Sequence, residues 1–86
     1  MARYELCFKR SVTKDLRPLP KTDLKLILKR IEALADDPRP PGCEKLSGQE
    51  RYRIRQGMYR ILYEIEDHRL VITVVKIGHR RDVYRQ

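Results

Sequence analysis

Four arginines and a short basic ending are the parts of this sequence whose residue types and spacing suggest chemistry. Arg51, Arg53 and Arg55 alternate with Tyr52 and Ile54, and Arg60 follows beyond Gln56-Gly57 among Tyr59, Ile61 and Tyr63. Alternation with period two marks a half-buried strand, so a hairpin is expected with its guanidinium groups on one face and its core on the other. With Gln56-Gly57 as a two-residue loop, counting back sets Arg53 directly opposite Arg60, with Arg55 two residues along the same face. Like charges opposed across strands destabilise, on the order of a few tenths of a kcal/mol. A sequence shaped for stability alone would place Glu or Thr across from Arg53. Several forked donors gathered on one face suit a polyanion. The alternative is a solvated face whose arginines splay apart. Lys45, just ahead of the run, extends the same field in this reading.

The ending GHRRDVYRQ adds His79, Arg80, Arg81 and Tyr84. Imidazole is the side chain that titrates nearest neutral pH, which makes His79 the natural acid or base of the set. Read blandly, the same segment is a loose basic terminus. If the last strand turns at Asp67-His68, residue 79 pairs with 56 and His79 joins the arginine face; a slip of one residue would reverse that.

The elements that must position these groups are legible by pattern. Tyr4, Leu6 and Phe8 alternate with Arg3, Glu5 and Cys7, which predicts a strand ending near Phe8. A brief helix carrying Val12 and Leu16, capped by Ser11 or Thr13, must end at Pro18 and Pro20. From Lys21 to Asp36, Leu24, Ile27, Leu28, Ile31, Leu34 and Ala35 form one helical stripe, with Thr22 or Asp23 near its start and Pro38 as its stop. PRPPG and EKLSGQE form a connector to the hairpin, and Leu70 to Ile77, dense in β-branched residues, is the last sheet strand.

One domain over the 86 residues is expected, with 20 Lys and Arg against 12 Asp and Glu and a net charge of +8. Such a balance speaks of partners: nucleic acid, a membrane surface or an acidic protein. Nothing in MARYELCFKR reads as a signal peptide and no stretch approaches a membrane span, so a cytoplasmic protein without a membrane partner is expected. Cys7 and Cys43 form no CxxC and read as two reduced thiols. With His68 and His79 as the two imidazoles, neither a metal nor a cofactor is expected.

Four stretches, DLRPLP, the helix ending in DDP, YRIRQGMYRILYEIED and VVKIGHRRDVY, resemble in order and spacing the RelE/ParE superfamily of toxins from type II toxin-antitoxin pairs. The resemblance covers nearly the whole chain. It implies an α+β fold in which two helices pack on one face of a small twisted antiparallel sheet, the other face forming a basic groove. In the RelE-like branch that groove enters the ribosomal A site and cuts mRNA there without metal. Carried over by position, Arg53, Arg55, Arg60, Arg80 and Tyr84 match the family's basic and phenolic site residues, and His79 stands where histidine or lysine is common. The expected catalytic residues are then Arg53, Arg60, His79, Arg80 and Tyr84, and the basic residues Lys45, Arg51, Arg55 and Arg81 are expected to contact RNA. Relatives often carry lysine at the positions of Arg53 and Arg55, and arginine cannot serve as a general base, so the base stays open. The implied partners are a cognate antitoxin that wraps and neutralises the domain, the ribosome with its mRNA, and DNA only through the antitoxin complex. Two other functions stay open: a ParE-like toxin that poisons DNA gyrase, and a non-enzymatic module binding RNA or an acidic partner.

Overall fold

Pro18 and Pro20 split the N-terminal half into two helices, because each ring removes a backbone donor and crowds the turn before it. The structure, a computed structural model, describes residues 3–46 and 50–79. In it β1 (Glu5–Phe8) leads to α1 (Arg10–Leu16) and α2 (Lys21–Leu34), followed by β2 (Glu44–Leu46), β3 (Arg51–Gln56), β4 (Tyr59–Glu66) and β5 (Val71–His79). Neither helix start has a side-chain cap, so the expected roles of Ser11, Thr13, Thr22 and Asp23 as caps are not seen. What holds α2 is its stripe: Ile27, Ile31 and Leu34 are fully buried and Ala35 follows them, while Leu28 stands exposed.

The five strands lie in the order β1-β5-β4-β3-β2. β1 starts at one edge, the helices carry the chain to the far edge, and three antiparallel turns bring it back. β5 therefore meets β1 running parallel. The sheet is mixed where an antiparallel one was expected, because β1 joins the rest through a helical crossover rather than a hairpin. β2 is an added edge strand inside the stretch read as connector.

The helices are also arranged differently from two rods on one face. α2 covers the face of Tyr52, Ile54, Ile61 and Tyr63. α1 lies beside β5, past the end of β1, and buries Val12 in that core with Leu16 packed partly buried against it. Its Asp15 accepts hydrogen bonds from the Ile77 backbone N–H (3.2 Å) and from Lys76 Nζ (3.3 Å). β1 stops at Phe8, opposite Val74, so this carboxylate supplies an acceptor where the parallel ladder has ended.

Two register details decide which side chains share a face. The β3–β4 loop is Gly57-Met58, one residue later than expected. Gly57 has φ +60, suiting the first central position that a type II′ turn reserves for glycine. A Gln56-Gly57 loop of type I′ would have forced positive φ on Gln56. Every partner moves by two, so Arg55 faces Arg60 and Arg53 faces Leu62; an even shift leaves the faces intact.

The second detail is a bulge in β5. The β4–β5 turn spans Asp67 to Leu70, with the Leu70 N–H on the Asp67 carbonyl at 3.3 Å. Pairing then runs Tyr63 with Val74 but Leu62 with Lys76, leaving Val75 as an extra residue. The bulge lets Val74 and Ile77 both enter the helix-side core while Val75 packs on Leu62 across the sheet. One inserted residue inverts the alternation, so β5 beyond it presents the opposite side chains to each face. Among the described residues no helix is long and apolar enough to cross a membrane.

Candidate functional site

On the face away from α2, the arginines meet carboxylates closely at one end and, among the described residues, at a distance or not at all at the other. Arg51 donates to Glu64 at 2.9 Å. Arg53 lies opposite Glu44 of β2 and pairs with it at 2.6 Å, so the carboxylate absent from the hairpin arrives from the neighbouring strand. Arg55 is 4.0 Å from that carboxylate and well exposed. Arg60 is different: at 6% exposure it is the one buried charged residue among those described. Its Nε has no partner, as is also true of Arg51 Nε, but among the described residues its Nη1 reaches only the Tyr59 carbonyl at 3.5 Å, long for such a bond, where Arg51 holds a carboxylate.

Its cross-strand neighbours are Arg55 on one side and Gly78, which has no side chain to crowd it, on the other. A guanidinium removed from water without a carboxylate is costly, and a second one opposite adds repulsion. An incoming anion relieves both. The uncompensated positive charge of this face, among the described residues, thus gathers at the turn end of the hairpin.

The other expected site residues divide. Lys45 pairs with Tyr52, on the helix side of the sheet, and binds Glu50 at 3.3 Å; it does not extend the arginine field. His79 lies opposite Tyr59, with the two rings 6.2 Å apart and nearly perpendicular. Its expected place among the arginines is overturned by the bulge at Val75. Arg80, Arg81 and Tyr84 lie outside the described residues. In exchange, the fold brings Lys9, Ser11 and Lys76 around a cleft of about 280 Å³ beside Arg51, Leu62 and Val75. Neither lysine was expected: Lys76, the one charge in LVITVVKI, carried a signal that could have marked it, and Lys9 carried none.

A second set of contacts holds the sheet edge in place. Asp67 accepts from Tyr4 Oη at 2.7 Å and from both terminal nitrogens of Arg39 at 3.2 and 2.9 Å. Those bonds, that of Arg39 foremost, hold its carboxyl below the ordinary carboxylate range. Arg39 also lies over the Tyr52 ring, 5.1 Å from its centre. Tyr63, whose phenol burial pushes far above its usual value, donates to the Pro38 carbonyl at 2.8 Å. The connector is pinned to the sheet by these bonds, which delivers β2 and Glu44 in register.

Near the hairpin tip Tyr59 Oη donates to Asp23 Oδ2 at 3.1 Å, and burial followed by this carboxylate raises the phenol above its ordinary value. Among the described residues no three His, Cys, Asp or Glu side chains converge as metal ligands would.

A family model described as the ParE toxin of the type II toxin-antitoxin system, parDE, matches residues 6–84. Toxin RelG of Mycobacterium tuberculosis is 29% identical over 87 residues, covering 96% of this chain and 98% of that protein. The mRNA interferase toxin RelE of Escherichia coli K12 is 27% identical, covering 96% and 92%. A chain in the crystal structure of the archaeal RelE-RelB complex from Pyrococcus horikoshii superposes with a TM-score of 0.82 at 30% identity, over 93% of this chain and 97% of that one. The chain therefore belongs to the ParE toxin family of type II toxin-antitoxin systems, with RelE-like toxins among its relatives.

Proposed function

We propose that this toxin is a metal-independent endoribonuclease that cuts mRNA in the ribosomal A site and so arrests translation. One observation supports the reading above the others: among the described residues Arg60 is buried without a carboxylate, directly opposite Arg55, at the open end of a basic face. In this mechanism the 2′-oxygen attacks the adjacent phosphorus and the 5′-oxygen leaves. The protein must help remove one proton, deliver another, and stabilise the charge that builds on the phosphoryl oxygens between them. Fixed guanidinium forks meet the third demand, since two parallel N–H donors match two phosphate oxygens. Arg60 and Arg55 hold the scissile phosphate, and Arg53 and Arg80 complete the charge.

Arg51, with Lys9 and Lys76 around its cleft, tracks the neighbouring backbone. The proton steps fall to Tyr84 and His79. The His79 ring is turned toward Tyr59, so it reaches that phosphate only where the RNA crosses the rim beside Gly78. The relative named an mRNA interferase supports the same chemistry. By analogy with the archaeal relative, solved as a RelE-RelB complex, the partner is a cognate antitoxin that neutralises the toxin, with DNA contacted only through that complex.

A second reading rests on the family model, whose description is of a ParE toxin: poisoning of DNA gyrase without nuclease activity. Single-turnover cleavage on mRNA-programmed ribosomes, run beside a gyrase supercoiling assay, separates the two. Cleavage that disappears in Arg60→Ala, with supercoiling untouched, supports the nuclease. Inhibited supercoiling with intact mRNA overturns it.

A further inference from the structure

The hairpin tip encloses a cavity of about 310 Å³ on the helix side of the sheet, a size that admits a small flat ligand. Asp23, Gln56 and His79 supply its polar groups, and Leu26, Met58 and the Tyr59 ring its apolar walls. Leu26 and Met58 are 50% and 51% exposed, large apolar side chains left uncovered at the mouth. The Tyr59 hydroxyl fixes the Asp23 carboxylate at 3.1 Å and leaves it further acceptor capacity. Asp23 does not serve phosphate chemistry, because a carboxylate repels a phosphate. The cavity is nevertheless continuous with the arginine pair through the chain: Gln56 pairs with Tyr59 one step from Arg55 and Arg60, so each pair occupies opposite faces of the same tip.

We propose that this cavity receives a nucleobase of the RNA whose phosphate lies at Arg55 and Arg60, and that Asp23 with Gln56 favours bases bearing an exocyclic amino group. The inference rests on the RNA-cleaving reading and adds a base selectivity to it. Single-stranded RNA is read by bases splayed from the backbone, stacked on aromatic side chains and hydrogen-bonded along their edges. Asp23 can only accept, so it takes the amino groups of adenine, cytosine or guanine. Uracil offers one imino N–H between two carbonyl oxygens, which face the carboxylate unfavourably. Gln56 carries both a donor and an acceptor for the next atom along the edge. A cationic side chain from a protein partner would also satisfy Asp23. Two aromatic rings and two uncovered apolar side chains suit a flat heteroaromatic better.

The test uses labelled RNA trinucleotides differing only in the middle position, adenine, cytosine, guanine, uracil or abasic, titrated by fluorescence anisotropy at fixed salt. The wild type should bind the amino-bearing members about tenfold more tightly than the uracil and abasic ones, the size of one good base contact. Asp23→Asn should bring that ratio to near one, and Tyr59→Phe, which keeps the ring, should reduce it. Arg60→Ala should weaken all five alike and preserve the ratio. Equal wild-type affinity for all five overturns the base pocket while RNA recognition stands. Displacement of the RNA by argininamide, without base preference, assigns the cavity to a cationic partner and overturns it too. No binding to any of the five overturns the base pocket, and cleavage on mRNA-programmed ribosomes then decides the RNA-cleaving reading by itself.

Discussion

Replacing Arg60 by methionine separates what its guanidinium does for the reaction from what it does to the fold. Methionine keeps an unbranched stem of similar length and discards the charge. If the guanidinium meets charge that develops only in the transition state, its loss should slow cleavage by about 10²–10³, or about 2.7–4 kcal/mol of transition-state stabilisation. Stability should move the other way or stay level. The side chain is 6% exposed, faces Arg55, and has one long bond to a backbone carbonyl to set against its desolvation. Exchanging a buried ionic group for an apolar one of similar volume is often neutral or stabilising by about 1–4 kcal/mol. For a domain of this size each kcal/mol moves the melting temperature by about 4–8 °C.

The expected pair of results is therefore a variant that cleaves poorly and melts no lower than the wild type. Single-turnover cleavage on programmed ribosomes gives the first quantity, and thermal unfolding of the free toxin the second. Arg60→Lys, which keeps a charge but loses the planar fork, should fall between them in activity. A variant that cleaves normally, or one that melts several degrees lower, would refute the reasoning. The first result would remove Arg60 from the reaction; the second would show that its guanidinium holds the fold.

Tyr63→Phe leaves the Pro38 carbonyl without its buried donor and should cost about 1–3 kcal/mol, read as a lower melting temperature; an unchanged melt would show that the connector is held by other bonds. Asp67 has a carboxyl pKa depressed by Arg39 and Tyr4, so its contribution to stability is present above the ordinary carboxylate range and fades as pH falls through the depressed value. Asp67→Asn should lower stability at neutral pH and flatten the acid limb of melting temperature against pH, and an unaltered acid limb would sink that account. Glu44→Gln removes the carboxylate paired with Arg53 and should steepen the salt dependence of RNA binding, by up to about 0.7 in the log-log slope for each further phosphate that the protein neutralises. An identical slope would mean that Arg53 does not meet RNA.

Local patterns carried much of this molecule. Period-two alternation separated Tyr52, Ile54, Ile61 and Tyr63 from the arginines, and the structure buries those four and keeps Arg51, Arg53, Arg55 and Arg60 together on the other face. The 3.6-residue stripe marked Ile27, Ile31 and Leu34, and the prolines marked where helices stop. Such signals are readable because they depend on a residue and its near neighbours in the chain.

What distant parts of the chain do to one another was not readable. The residues of β2 form a strand only by pairing with β3, and that pairing brings Glu44 to Arg53 and carries Lys45 to the opposite face. β1 lies parallel to β5 because the antiparallel turns from β2 onward return the chain to the edge where it began. The bulge at Val75 arises where two packed faces each demand an apolar side chain, and that single residue decides which way His79 points. The sequence by itself determined which residues are cationic, which are apolar and that they alternate; the tertiary structure decided which cations, among the described residues, keep a carboxylate and which do not. Alternation is a property of one strand, whereas register and charge pairing belong to contacts between strands, settled only when the whole core closes.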